Sequence, residues 1–256
     1  MIVTQRNEQW LELTEQHEHA FLSYEIAKHW HRNLFPYPDR REEVLLAIRE
    51  HDRAWIPLDK KVTFHAKELY PHDFIHFPLQ TKLDAYRRGV DEVEAQSAYA
   101  AILCSLHFCS FFSKECPMLR RLSLIFLKQE NSRQERLMKQ LTDKPTEDEL
   151  QQHFRLLQFC DDCSLYVYMN KRGVSKENEV SWFKDGFRQP FDFAPEGLNG
   201  SWQDKDTIRL TPFPFEQPFS TRRVSYLLET TATHTPDESV PLAKLTKEQH
   251  VITFVE

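Results

Sequence analysis

Apolar residues recur along this chain in two different ways, and the change between them divides the sequence. From about residue 14 to residue 170 they return every three or four positions, which is the period of an amphipathic helix. Two short apolar runs precede residue 14, and after residue 170 prolines, aromatic residues and short β-rich runs dominate. We therefore expect a single domain, residues 1–256, with a helical core at 14–170 and a β-rich terminal part formed by 1–13 and 171–256.

About six helices are predicted. Thr14 is the expected N-cap of the first, which runs to about Trp30, and the second begins after Pro38-Asp39 and ends near His51. Apolar periodicity predicts four more helices, at Leu79–Arg88, Ala98–Phe112, Met118–Leu141 and Thr146–Met169. The second of these four is apolar on nearly all sides, which places it in the middle of the domain.

Strands are expected at both ends of the chain. Two apolar runs, Ile2–Thr4 and Trp10–Leu13, flank a polar segment and predict a hairpin. Further β-rich runs occur at Thr207–Leu210, Arg223–Glu229 and Val251–Val255. The expected fold is therefore mainly α: a bundle of about six helices with a small antiparallel β-sheet, built from the N-terminal hairpin and the C-terminal strands.

Composition and charge narrow the classes of function. With 256 residues and 40% hydrophobic content, the chain can bury a large core. It has only five glycines, and none forms a phosphate-binding loop, which excludes the commonest nucleotide-binding folds. The net charge of −6 argues against nucleic acid as a partner, because binding a phosphate backbone needs a basic stripe.

The same sequence predicts a cytoplasmic protein. No run approaches the roughly 18 apolar residues of a membrane span, and the N-terminal residues lack the basic and apolar regions of a signal peptide. Five cysteines, an odd number, fit buried free thiols in a reducing compartment. We expect no membrane partner, and the sequence leaves the oligomeric state open.

Polar residues on the apolar faces of the predicted helices are the candidates for chemistry. His51 lies seven, four and three positions after Val44, Ala47 and Ile48, so it shares their face. Asp52 follows directly and flanks the same face. A buried carboxylate is costly unless it is paired or binds a metal, so a His-Asp pair at the inner end of an apolar helix indicates a metal site.

The first and last predicted helices each supply a candidate with an alternative beside it. His19 lies on the apolar stripe of the first helix, and His17, about 160° away, is the alternative. Asp161 lies on the apolar stripe of the last helix, and Asp162 falls on a neighbouring face. Helical spacing allows one histidine to face the core, and it leaves the choice between the two aspartates open.

His107 lies in the most apolar helix, four residues from both Leu103 and Phe111. Taken alone, it is better explained as a core histidine that bonds a backbone carbonyl. Taken with the other candidates, it completes a pattern along the chain. The pattern is a histidine on the first helix, His-Asp at the end of the second, a histidine on a buried helix and an aspartate on a later one.

This order resembles that of the metal ligands in the HD superfamily of metal-dependent phosphohydrolases. The resemblance covers about residues 15–170 and implies that His19, His51, Asp52 and Asp161 hold a first metal. It also implies that His107 is a ligand of a second metal or a hydrogen-bond donor to the substrate.

The chain departs from the best-studied HD enzymes in the long, irregular connection after the His-Asp pair, where their second pair of histidines has no clear counterpart. His65, His72 and His76 lie in that connection and are candidates for such a pair. The departure leaves open whether one or two metal ions bind.

A closer resemblance is to a bacterial family known as a domain of unknown function. It rests on the segments Gln16–Ser23, Arg41–Ile48, His51–Trp55, Tyr99–His107 and Asp161–Tyr166, and it extends from residue 1 to past residue 200. This second resemblance implies no activity.

The expected function is hydrolysis of a phosphomonoester or phosphodiester in a small phosphorylated molecule. Imidazoles and carboxylates suit one or two ions of Mn, Fe, Zn, Ni or Mg, and such an ion activates water and holds a phosphate oxygen. Arg53 and Lys60-Lys61 are candidate cations for the departing charge and Asp59 is a candidate for proton transfer, although each is otherwise an ordinary surface charge. Two alternatives stay open: a non-catalytic ligand-binding or regulatory protein, and a di-iron oxygenase.

Overall fold

Helices and a curled sheet make up the fold, and the structure, a computed structural model, describes residues 1–65, 70–112, 121–230 and 239–256. The helices are α1 (Gln16–Lys28), α2 (Arg41–Glu50), α3 (Leu79–Glu94), α4 (Ala98–Ser110), α5 (Arg121–Gln140) and α6 (Glu147–Met169). The strands are β1 (Ile2–Gln5), β2 (Trp10–Thr14), β3 (Lys61–Thr63), β4 (Asn199–Trp202), β5 (Thr207–Thr211), β6 (Phe219–Glu229), β7 (Ser239–Pro241) and β8 (Thr246–Val255).

The six predicted helices are confirmed, with changes at their ends. Thr146 caps α6 as expected, since its hydroxyl accepts a hydrogen bond of 3.1 Å from the amide of Glu149. Thr14 is not the cap of α1, because it ends β2 and Glu15 occupies the cap position instead. The predicted start of the fifth helix at Met118 lies outside the described residues.

The large sheet has the strand order β1-β2-β6-β8-β5-β4. The predicted N-terminal hairpin is confirmed as the antiparallel pair β1–β2, and β2 joins it to the C-terminal strand β6. The pair β5–β8 is parallel, so the sheet is mixed rather than antiparallel. A separate two-stranded sheet pairs β3 with β7.

The prediction of a mainly α, or all-α, bundle is wrong. Helices account for 47% and strands for 22% of the structure, and the main sheet curls into a half-barrel, so the fold is α/β. The sheet is larger than the sequence predicts, because its strands are apolar on one face at most and so give a weak hydrophobic pattern. In β8, for example, the first five residues are polar and only Ile252 and Phe254 are buried.

The packing of four helices brings the candidate residues together. α1 packs against α2 and α6, and α2 packs against α4, so the inward faces of these helices meet. A tight contact also fixes the turn after α2: a Cβ added to Gly89 of α3 would lie 2.7 Å from the Cβ of Ala54. The half-barrel closes the core on the other side, since Ile208 and Phe254 belong to the same buried cluster as Ile26.

The sequence predicts that the protein has no membrane partner. In the described ranges of the chain, no helix combines the length and the apolar character needed to cross a bilayer. The cytoplasmic location stays a prediction.

Candidate metal centre

Four of the candidate side chains meet in the interior. His19 comes from α1, His51 ends α2, Asp52 follows it, and Asp161 lies in the middle of α6. Their exposed fractions are 1%, 0%, 3% and 7%. The apolar stripes that made these residues candidates are the reason that they converge, because each stripe packs into the same core.

The two imidazoles lie close to each other and to both carboxylates. The Nε2 atom of His19 is 3.1 Å from Oδ2 of Asp52 and 3.3 Å from Oδ1 of Asp161. The Nε2 atom of His51 is 3.2 Å from Nε2 of His19, 3.5 Å from Oδ1 of Asp161 and 3.8 Å from Oδ2 of Asp52.

The other nitrogen of each imidazole is already engaged. Nδ1 of His51 donates to the carbonyl of Ile48 at 2.7 Å. Nδ1 of His19 contacts Oγ of Ser164, whose own proton goes to the carbonyl of Asp161 at 3.0 Å, so the histidine is the donor. In their neutral forms, both rings therefore direct an Nε2 lone pair into the space between the carboxylates, as metal-binding histidines do.

The charges around this space are mainly negative, which favours a positive charge within it. Burial by itself lowers the pKa of His51, yet the carboxylates of Asp52 and Asp161 raise it to about 9. Burial by itself raises the pKa of Asp161, but His51 beside it brings that pKa below its usual range. Either a proton on His51 or a metal ion offsets the two buried negative charges.

The donor distances fit a metal ion. Two ligands bound at about 2.1 Å to one ion lie roughly 3.0 to 3.4 Å apart in octahedral or tetrahedral geometry. Three of the five distances between the ligand atoms are 3.1, 3.2 and 3.3 Å. The group His19, His51 and Asp161 and the group His51, Asp52 and His107 each bring their ligand atoms within 4.8 Å of one another.

His107 borders this group and keeps one nitrogen without a partner. Its ring centroid lies 4.9 Å from that of His51, edge to face. Its Nδ1 atom is buried and has no hydrogen-bond partner among the described residues. Burial lowers the pKa of His107 to about 4, so at neutral pH the ring is uncharged and offers one donor and one acceptor.

The structure separates the alternatives that the sequence leaves open. Asp162 turns away from the centre: it accepts hydrogen bonds from Nε of Arg188 at 3.0 Å and from Nε2 of Gln189 at 2.7 Å. His17 is absent from both groups of ligand atoms, whereas His19 belongs to one of them. The ligand roles themselves remain predictions.

Two predicted catalytic residues do not line the site. Asp59 accepts hydrogen bonds from the ammonium group of Met1 at 2.8 Å and from the amide of Gln16 at 2.7 Å. Arg53 pairs with Glu50 at 3.0 Å and with Glu92 at 2.6 Å. Neither belongs to the cavity described below, and the Lys60-Lys61 pair is exposed. Although Asp59 and Arg53 lie close to Asp52 along the chain, their side chains do not line the cavity.

The histidines of the long connection form a separate cluster. The rings of His65 and His72 lie 3.8 Å apart between centroids, and Nδ1 of His76 pairs with Asp73 at 2.9 Å. None of the three belongs to a group of converging ligand atoms in the described chain. The structure therefore does not bring them into either group, and a ligand role for them stays a prediction.

A cavity of about 560 Å³ leads to the metal group. Its floor includes His19, Asp52, His107 and Asp161, and its walls are mainly aromatic. The sequence prediction missed three polar residues that also line the cavity: Gln16, Lys82 and Arg188. Lys82 had a detectable signal, because it lies four residues before Tyr86 on the buried stripe of α3, whereas Arg188 lies in an irregular segment that carries no periodic signal.

Comparison with known proteins gives one match. No curated protein and no solved structure matches the chain, and the expected relation to the HD superfamily is not supported. A family model described as a protein of unknown function, DUF3891, matches residues 1–229. That span is most of the 256 residues, so the chain belongs to the DUF3891 family.

Proposed function

We propose that this protein is a metal-dependent phosphohydrolase, with one divalent ion held by His19, His51, Asp52 and Asp161. The observation that carries the proposal is the convergence of two imidazole lone pairs and two carboxylates at the floor of a cavity. Such an arrangement is repulsive until a cation enters it. The mixture of nitrogen and oxygen donors suits Mn, Fe, Zn, Ni or Mg.

One ion fits the centre better than two. The two groups of ligand atoms share His51. Because Nδ1 of His51 donates to Ile48, only its Nε2 atom is free to bind a metal. A single lone pair binds a single ion, so His51 cannot hold a separate ion in each group, and we propose one ion with His107 at its border.

The reaction we propose is attack of water on the phosphorus of a phosphoester. When bound, a divalent ion supplies a Lewis acid that polarises a phosphate oxygen and makes water more acidic. The water oxygen forms the new bond to phosphorus, the ester P–O bond breaks, and the proton of the water ends on the departing alcohol.

The chain's own residues position the reactants in this scheme. His107, which is neutral and lines the cavity, donates a hydrogen bond to a phosphate oxygen. Lys82 adds positive charge to the cavity, which favours an anionic substrate, whereas the charge of Arg188 is offset by Asp162. The apolar walls keep bulk water from the reacting atoms.

The first test is the metal content of protein purified without a chelator and without a metal-affinity tag. We expect about one equivalent of a divalent metal in the wild type, and loss of that metal in His51→Ala and in Asp161→Ala. The matched control is His250→Ala, which removes an imidazole from β8 and leaves the metal in place.

Activity is then measured on the metal-loaded wild type with a panel of phosphomonoesters and phosphodiesters. Hydrolysis that is lost in both site variants and kept in His250→Ala supports the proposal. Protein that binds no metal, even after addition of Mn, Fe, Zn or Ni, overturns it. Metal-loaded protein that hydrolyses nothing on the panel points instead to a non-catalytic ligand-binding protein.

A further inference from the structure

Exposed hydrophobic side chains border the cavity above the metal group. Nine large apolar side chains are exposed in the described chain, and three of them, Ile75, Phe111 and Trp182, line this one cavity. Their exposed fractions are 44%, 48% and 53%. Apolar side chains that cluster around a concave surface mark a place where an apolar ligand binds.

The walls below this rim are aromatic and are held in place by other rings. Tyr86 stacks on Phe108, with ring centroids 3.9 Å apart, and also meets Trp55 edge to face at 6.0 Å. Phe187 packs edge to face against Phe159 at 5.1 Å. Rings that are already fixed lose little conformational freedom when a ligand arrives, so the cavity is prepared for an apolar group.

The two cationic side chains of the cavity walls are already engaged with protein acceptors. Nζ of Lys82 donates to the carbonyls of Phe74 at 3.2 Å and Ile75 at 3.1 Å. Arg188 makes two hydrogen bonds to the carboxylate of Asp162, at 3.0 and 3.3 Å. Away from the metal group, Oε1 of Gln16 is a buried acceptor without a partner. Against the aromatic walls, a substrate with many hydroxyl groups would lose its water without gaining matching partners.

We infer that the substrate is a phosphoester whose organic group is apolar and preferably aromatic. That the ligand is a phosphoester rests on the proposed function, whereas the preference for an apolar group rests on the cavity walls alone. The phosphate lies on the metal group at the floor, and the organic group lies between the aromatic walls. The volume of about 560 Å³ is within the range of about 300–1,000 Å³ for sites that enclose small organic molecules.

A pair of substrates tests the preference directly. We expect kcat/KM for 2-(1-naphthyl)ethyl phosphate, whose leaving group is a primary alcohol like that of glucose 6-phosphate, to exceed that for glucose 6-phosphate by on the order of a hundredfold, because burial of a bicyclic surface favours binding and unmatched hydroxyls oppose it. Equal or greater activity on glucose 6-phosphate would overturn the inference and leave the proposed function standing.

Trp182 is the suitable rim variant, because Phe111 packs edge to face on His107 at 4.7 Å and its loss would also disturb the metal group. Trp182→Ala should lower kcat/KM for 1-naphthyl phosphate about tenfold. Hydrolysis of methyl phosphate, which lacks a group to fill the cavity, should change little. The control is Val251→Ala on β8, which removes a side chain of 57% exposure outside the cavity. Equal losses on both substrates would contradict a specificity role.

Binding without turnover separates the two proposals. The probe is 1-naphthylphosphonate, which is not hydrolysed. Calorimetry with this compound measures binding of the naphthyl group by the cavity walls, even in metal-loaded protein that hydrolyses no ester. Binding that weakens in Trp182→Ala supports the apolar site even if the protein is not an enzyme. Absence of binding, or binding that Trp182→Ala does not weaken, would overturn the inference.

Discussion

His19 and His51 direct their Nε2 atoms at each other across 3.2 Å, while the Nδ1 atom of each ring donates to a protein oxygen. Two neutral imidazoles in this arrangement point their Nε2 lone pairs at each other, with carboxylate oxygens beside them. A proton shared with one ring relieves part of the repulsion, and a divalent ion relieves all of it. The fold therefore holds together side chains that could bind a cation, whether or not one is present.

A bound metal should consequently stabilise the folded state. A ligand that binds only the native protein adds about 2.7 kcal/mol to the free energy of unfolding at a concentration one hundred times its Kd. For a chain of this size, that corresponds to a rise in Tm of about 5–10 °C. Thermal unfolding of chelator-treated protein, with and without added metal, measures the shift. A shift of the same size in His51→Ala would show that the metal binds elsewhere.

Ser164 should tune the affinity of this centre without binding the metal. Its hydroxyl accepts the Nδ1 proton of His19 and so fixes which nitrogen faces the carboxylates. We expect Ser164→Ala to weaken metal binding about tenfold to a hundredfold, measured by competition with a chromophoric chelator. The control is Ser105→Ala, which removes another buried helical hydroxyl, one that donates to Glu130 at 2.8 Å. Equal affinities in the two variants would contradict the positioning role.

Helical periodicity predicts which side chains of the metal group face the core. His19, His51 and Asp161 were placed because each shares a helix face with apolar residues, and such faces must pack inward. The partners that orient the imidazoles have no such signal, because Ile48 contributes a backbone carbonyl and Ser164 is a small residue among other buried ones. Periodicity identifies which side chains enter the core, and it says nothing of their hydrogen bonds.

The sheet and the cavity walls were less predictable. β4, with the sequence Asn-Gly-Ser-Trp, has no strand-like apolar pattern and forms only because β5 lies beside it. The cavity wall around Trp182 and Arg188 belongs to an irregular segment whose position depends on tertiary contacts. Long-range pairing and loop placement arise from the whole fold, so a single sequence does not reveal them.

Gly89 should be required for the position of the His-Asp turn. A Cβ at this position would lie 2.8 Å from the backbone N and Cα of Ala54, two residues after Asp52. An alanine would gain about 1 kcal/mol in helix propensity. Overpacking against Ala54 would cost about 1–3 kcal/mol, which is the larger effect. We therefore expect Gly89→Ala to lower both Tm and metal affinity. Gly200→Ala is the control, since its Cβ would meet a ring edge at 3.3 Å. Unchanged metal affinity in Gly89→Ala would contradict the prediction.

A buried ion pair between the sheet and the helices should control stability at low pH. Arg223 of β6 is 1% exposed, donates to Glu12 of β2 and to the carbonyl of Val167 at 3.3 Å, and lies over the ring of Tyr168. Burial by itself raises the pKa of Glu12, but Arg223 brings it below the usual value. The stability that this depressed pKa contributes is present above the unfolded-state pKa of about 4.3 and is lost as the pH falls through the lower folded-state pKa.

Removal of the carboxylate should therefore be costly at neutral pH and progressively less so in acid. Glu12→Ala leaves the Arg223 guanidinium buried without its charge partner, for which we expect a loss of about 3–5 kcal/mol in the free energy of unfolding at pH 7. The control is Glu248→Ala, whose partner Arg6 has 35% of its side chain exposed, and where a loss of about 0–1 kcal/mol is expected. Urea unfolding at pH 7 and at pH 3 measures both. A difference between wild type and Glu12→Ala that does not shrink in acid would mean that packing, rather than charge, accounts for the contribution of Glu12.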